Sequence, residues 1–133
     1  MVAPVLAEIQ SDRCFYCQEG LRNAFEVDHF IPWARYPRDT AHNFVLAHRT
    51  CNNDKRELLA AKPHLDHWLE RMEQHGDEIG GRLSELGFVS DARCSTLVAR
   101  WAYEQAVAVK GQAWAGRGVV VPVGAEYLDA FMA

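Results

Sequence analysis

Two short pairs of metal-binding residues constrain this chain more than any other feature. Cys14-x-x-Cys17 is followed, after the thirty residues 18–47, by His48-x-x-Cys51 at the same internal spacing. Three thiols and an imidazole in two such pairs suit tetrahedral Zn²⁺, so Cys14, Cys17, His48 and Cys51 are the candidate ligands of a structural zinc. Packing alone gives no reason for the repeat, although buried free cysteines are the bland alternative. His42 and Cys94 are reserve ligands outside the pattern. Between and just after the pairs lie Asp28-His29, Asn43 and Asn52, oxygen and imidazole groups of the kind that hold Mg²⁺ and move protons.

Local signals order the same stretch. Cys14-Phe15-Tyr16-Cys17 reads as a tight turn, Ala24–Asp28 alternates as a strand, and Pro32 and Pro37 make 31–42 an irregular loop. Phe44–Ala47 reads as a partner strand. Thr50 is a suitable cap for a helix that runs to Ala61 and stops before Pro63. Consecutive strand residues point to opposite faces, so Asp28 and His29 can share a site only where the strand ends or distorts.

These residues resemble the zinc-containing branch of the HNH nuclease family, the ββα-metal or His-Me finger endonucleases. The shared pattern is a Cys pair, then Asp28-His29-Phe30-Ile31-Pro32, then Asn43, then a second pair running through Asn52 to Lys55, with His48 where a cysteine is usual. The resemblance implies a metal-dependent endonuclease acting on DNA, or on RNA. It assigns His29 as general base, Asp28 and Asn52 as ligands of a catalytic Mg²⁺ or Mn²⁺, and Asn43 as the residue that orients His29 by a hydrogen bond. His48 could in principle serve either metal; assigning it to zinc keeps four zinc ligands and leaves the catalytic ion to Asn52. A helix starting at the site would place Lys55, with Arg56, against a phosphate. The rival is a zinc-finger-like module that binds nucleic acid or protein without cleaving. It has no use for Asp28, His29 and Asn52 together.

The chain of 133 residues is expected to be α+β: a zinc-stapled ββα core over 1–62, and over 63–133 a mainly helical extension with a small hairpin and no readable motif. The net charge of −4 argues against coating nucleic acid by charge alone. The acid excess lies outside the motif region, since 1–62 holds eight Lys/Arg and eight Asp/Glu while 63–133 holds six and ten. Four cysteines are too few and too clustered for a disulfide framework, and no apolar run approaches membrane length, so a cytoplasmic protein is expected.

In the extension, helical spacing picks out Leu65, Trp68, Leu69 and Met72, and Ile79, Leu83 and Leu86 after a break at Gly76. Ser90 is a candidate cap for a helix burying Leu97, Val98, Trp101, Ala102 and Val109. Trp68, Trp101 and Trp114 are expected in the core, and His64, His67 and His75 at the surface. Ala113–Ala115 and Val119–Val121 flank Gly116-Arg117-Gly118 as a hairpin with Pro122 at its edge, and Tyr127–Met132 reads as a last short helix.

Overall fold

A computed structural model describes residues 1–132. The leading helix α1 (Val2–Ile9) buries Val5 and Leu6. The side chain of Gln10, just past its end, bonds both the carbonyl and the amide of Leu46, at 2.8 and 3.0 Å. Leu46 belongs to β2 (Phe44–His48), which pairs antiparallel with β1 (Phe25–His29), Phe25 opposite His48 and His29 opposite Phe44. Phe44–Ala47 is a continuous apolar run because both faces of β2 are covered. Val45 and Ala47 join one hydrophobic cluster with Phe15, Trp68 and Trp114. Phe44 and Leu46 join another with Val5, Leu6, Ile79 and Leu83.

The helix α2 (Arg49–Lys55) leaves β2 directly, and here the expected order of elements holds while its boundaries change. His48 rather than Thr50 occupies the cap position, and Arg56, at φ 53°, reverses the chain. Leu59–Ala60 is therefore not the end of this helix but a short strand, β3, parallel to Ala113–Trp114 of β4 (Gln112–Gly116). Extended backbone lets both of its side chains be buried and pairs its amides, which one more helical turn would not do. Pro63 then opens a helix instead of stopping one, because the first turn of α3 (Lys62–Ser84) does not need its missing N–H. Nor does Gly76 break α3. Glycine within a helix costs about 1 kcal/mol, less than the burial of Trp68 and Ile79 on either side of it contributes.

The helix α4 (Ala92–Ala108) is capped by Asp91, whose carboxylate accepts from the Cys94 amide at 3.0 Å, while Ser90 donates instead to the Gly80 carbonyl. Its buried face is Ser95, Ala99, Ala102, Tyr103 and Ala106, so of the expected stripe only Ala102 is buried. Leu97, Trp101 and Val109 are 55%, 49% and 73% exposed. Small side chains allow close approach, and the Tyr103 hydroxyl finds the Ala60 carbonyl at 2.6 Å inside the core. The hairpin of β4 and β5 (Val119–Pro122) forms as expected, with β5 at the edge of the sheet β3-β4-β5. The Asp54 carboxylate of α2 accepts from the Trp114 indole and the Gly118 amide, both at 2.7 Å, which joins the two sheets' neighbourhoods. A 3₁₀ segment, Ala125–Phe131, ends the described chain. Together these elements make an α+β protein, and no helix among the described residues is long and apolar enough to cross a membrane.

Two of the histidines expected at the surface are half-buried. His64 stacks on Trp114 and hydrogen-bonds the Ala115 carbonyl at 2.9 Å; His67 stacks on Phe15 with ring centroids 4.5 Å apart. Burial lowers the pKa of both. The unfolded chain therefore takes up their protons first, near the ordinary histidine value of about 6.5, and stability falls as pH drops through that value. We expect the unfolding free energy to decline between pH 7.5 and 5.5, and the decline to be shallower in a His64→Gln/His67→Gln variant. Denaturant titrations across that range check this; parallel slopes would exclude the two rings as its source.

Candidate metal centre and active site

The metal centre is assembled by three short elements. Residues 14–19 close into a knuckle in which the Gln18 amide donates to the Cys14 carbonyl at 3.0 Å and the Cys14 amide to the Glu19 carbonyl at 2.8 Å. The end of β2 supplies His48 and the first turn of α2 supplies Cys51. One ligand atom from each of Cys14, Cys17, His48 and Cys51 lies within 4.8 Å of all the others. That spread suits a tetrahedron of ligands about 2.0–2.3 Å from a zinc ion. His48 Nδ1 is 3.3 Å from Cys17 Sγ, and Nε2 lies 2.9 Å from the Gly20 carbonyl. With Nε2 protonated and donating to that carbonyl, Nδ1 is the metal-facing nitrogen and the ring is held for coordination. Burial, reinforced by the facing thiols Cys14 and Cys17, pushes the Cys51 thiol up to about 12, and burial also raises Cys17. Thiols crowded in this way need a cation to become thiolates, which a dication supplies. His42 and Cys94 stand apart from the cluster: His42 is buried with Nε2 on the Gly76 carbonyl, and Cys94 is exposed on α4.

Beside this centre, β1 presents two different faces. Its ladder with β2 stays regular through His29, so Asp28 and His29 do not converge on one face as a distorted strand end would have allowed. Asp28 turns inward. Its Oδ2 accepts from the Tyr16 hydroxyl at 2.6 Å and lies 3.7 Å from the Lys55 ammonium. Burial, with the Asp28 carboxylate adding to it, raises the Tyr16 pKa well above the ordinary phenol value and keeps the hydroxyl a donor. On the same face, Glu26 accepts from the Asn52 amide at 2.6 Å and faces Arg49 at 3.5 Å. The Asp28 and Asn52 side chains each retain an oxygen, Oδ1, with no hydrogen-bond partner among the described residues. Two hard oxygens are the donor type a Mg²⁺-like ion takes, so the pair fits that ion chemically.

Lys55 departs from the expected solvated helix face. Its side chain is 0% exposed, because it lies one helical turn after the buried ligand Cys51 and so shares its face. Burial lowers its pKa, opposed by Asp28. It is therefore placed against the strand rather than against a phosphate, whereas Arg56 next to it is exposed. Removing either partner of a buried pair leaves a stranded charge. We expect Lys55→Met and Asp28→Asn each to cost about 3 kcal/mol, and the double variant to cost much less than their sum. Urea unfolding of the four proteins gives the coupling; additive losses would mean that the pair is not one electrostatic unit.

His29 emerges on the opposite face, 26% exposed at its side chain, with its ring edge-on to Trp33 and tilted over Phe44. Its Nε2 is 2.7 Å from the Asp39 carboxylate. Asn43 makes no bond to His29; instead its amide accepts from the Ile31 N–H at 2.8 Å and donates to the Ile31 carbonyl at 3.0 Å. Its own carbonyl accepts from the Phe30 amide at 2.8 Å. The side chain bonded to His29 is thus Asp39 rather than Asn43, and Asn43 pins the backbone just beyond the histidine. Asp39 and Glu26 were not anticipated. Asp39 is the only acid in the loop 31–42, and Glu26 stands two residues before Asp28 in the strand's alternation, and these were their signals. From the extension, Trp68 and Arg71 donate to the His42 carbonyl, and Arg71 also donates to the Phe44 carbonyl, so α3 braces this side of the hairpin.

A hairpin and helix that close a Cys3His cluster, with an Asp-His step on the first strand, define a small metal-binding α+β unit. Residues 14–57 match the family model of the HNH endonucleases. Comparison with curated proteins and with solved structures returns no significant match. The matched segment spans both Cys-containing pairs, Asp28, His29, Asn43 and Asn52.

Proposed function

We propose that the protein is a metal-dependent endonuclease that hydrolyses phosphodiester bonds in DNA. The observation that carries this reading is the His29–Asp39 pair, an imidazole held by a carboxylate at a partly exposed strand end within the segment that matches the HNH model. With Nε2–H donated to Asp39, Nδ1 keeps a lone pair able to take a proton from water. The water oxygen attacks phosphorus, the P–O bond to the leaving oxygen breaks, and the water proton passes to His29, whose positive charge Asp39 then stabilises. A Mg²⁺ or Mn²⁺ ion held by Asp28 and Asn52 would neutralise phosphate charge. The sheet order β1-β2 leaves the other edge of β1 unpaired. A backbone lying along that edge would meet His29 on the exposed face, with Asp28 turned to the inner face of the same strand. Arg56 is the phosphate contact in this reading, Lys55 serves Asp28 from within, and Cys14, Cys17, His48 and Cys51 hold a structural zinc. Residues 1–62 form the catalytic core and 63–133 its support.

The test is incubation of the zinc-loaded chain with supercoiled, linear and branched DNA, and with RNA, with and without Mg²⁺ or Mn²⁺. Divalent-dependent cleavage of DNA is expected. Binding with no cleavage of any of these would assign the protein to the zinc-finger-like module class.

A further inference from the structure

A guanidinium in the interior of a protein needs its charge balanced, and among the described residues no carboxylate pairs with Arg71. The residue is 5% exposed. Its Nη2 donates to the carbonyls of His42 and Phe44 at 3.2 and 2.8 Å, and the Phe15 ring lies 5.5 Å from its central carbon. Nη1 has no partner among the described residues. Burial lowers the pKa of Arg71 to about 10, and the one opposing influence is Tyr16 rather than an acid. Two neutral carbonyls and a ring face offset part of the desolvation and leave the charge without a counter-ion.

Arg71 lines a cavity of about 300 Å³ next to the Cys14 knuckle. Arg13, His67, His75, Gln10 and Gln74 share its wall. Among the described residues no Asp or Glu lines it, in a chain with 18 acids against 14 Lys and Arg. Two acids reach wall residues from outside the lining, Glu78 at His75 and Glu70 at Gln74. An unneutralised guanidinium behind a wall that also carries Arg13, His67 and His75 is complementary to an oxyanion, which cations and N–H donors attract. The volume is at the small end for ligand sites.

We propose that this cavity binds a phosphate group, with Arg71 as its anchoring charge and Arg13 at its rim. The phosphate comes either from a nucleic-acid backbone or from a free phosphate compound, and the two sources share the chemistry of recognition.

Calorimetric titration of the zinc-loaded chain with inorganic phosphate, at ionic strength matched with chloride, tests this. Saturable one-to-one binding is expected. Arg71→Lys keeps a charge but loses the carbonyl bonds that fix it beside the cavity, and should weaken it at least tenfold; Arg13→Gln/His75→Gln, which leaves Arg71 in place, should weaken it severalfold. A short single-stranded oligonucleotide then separates the sources. Competition with phosphate that the rim variant weakens assigns the site to the backbone, and phosphate binding without competition assigns it to a free compound. No saturable binding, or binding untouched by the rim variant, would overturn the proposal even if Arg71→Lys fails to fold. Cleavage is not read, so the outcome is independent of the nuclease reading.

Discussion

Stripping zinc from this protein should unfold its motif region. The four ligands tie the knuckle at 14–19, the end of β2 and the first turn of α2 into one unit. The helix among them has only seven residues, about half the length at which an isolated helix becomes marginal in water. A structural zinc contributes on the order of 10 kcal/mol to such a unit, comparable with the whole stability of an ordinary domain. We expect one zinc per chain by elemental analysis, loss of helical and near-ultraviolet signal on chelation, and recovery when zinc is returned. Cys51→Ser should behave like the chelated protein, and Cys94→Ser should leave zinc content unchanged because Cys94 lies outside the cluster. Protein purified without chelator and found free of zinc would remove the assignment.

The second large effect belongs to His29. If its ring takes the proton from water, His29→Ala should retain fold and zinc yet lose cleavage by about 10²- to 10⁴-fold. Asp39→Asn should lower kcat with little change in KM, since Asp39 holds the ring and does not meet substrate. Asp28→Ala should instead raise the divalent-ion concentration needed for half-maximal cleavage, because in the proposed site it would remove the one charged ligand; Asn52→Ala should do so more mildly. Metal titrations of cleavage separate the two classes. Equal loss in His29→Ala and Asp28→Ala with no change in metal dependence would mean that these residues do not divide base from ligand. His48→Cys should retain zinc and activity, since a thiolate at that position preserves the ligand count.

Several features could be read without a structure because they depend on short-range chemistry. The spacing of Cys14, Cys17, His48 and Cys51 brings four ligand atoms together once two tight turns form, and the structure does gather them. The order of strand, loop, strand and helix, and the hairpin over 112–122, follow from alternation and turn residues. Other features depend on partners far along the chain. Leu59–Ala60 becomes a strand because Ala113–Trp114 lies beside it, and α4 turns its small face inward because Tyr103 reaches Ala60. His29 is clamped by Asp39 across a loop that no periodicity describes, and Lys55 is drawn inward by the same helix face that carries Cys51 to its ligand position. Local sequence determined which groups exist and how the chain must turn to gather ligands. Which face each group occupies, and which charge balances which, was decided by burial, since only the packed structure settles what is left to neutralise a group once water has gone.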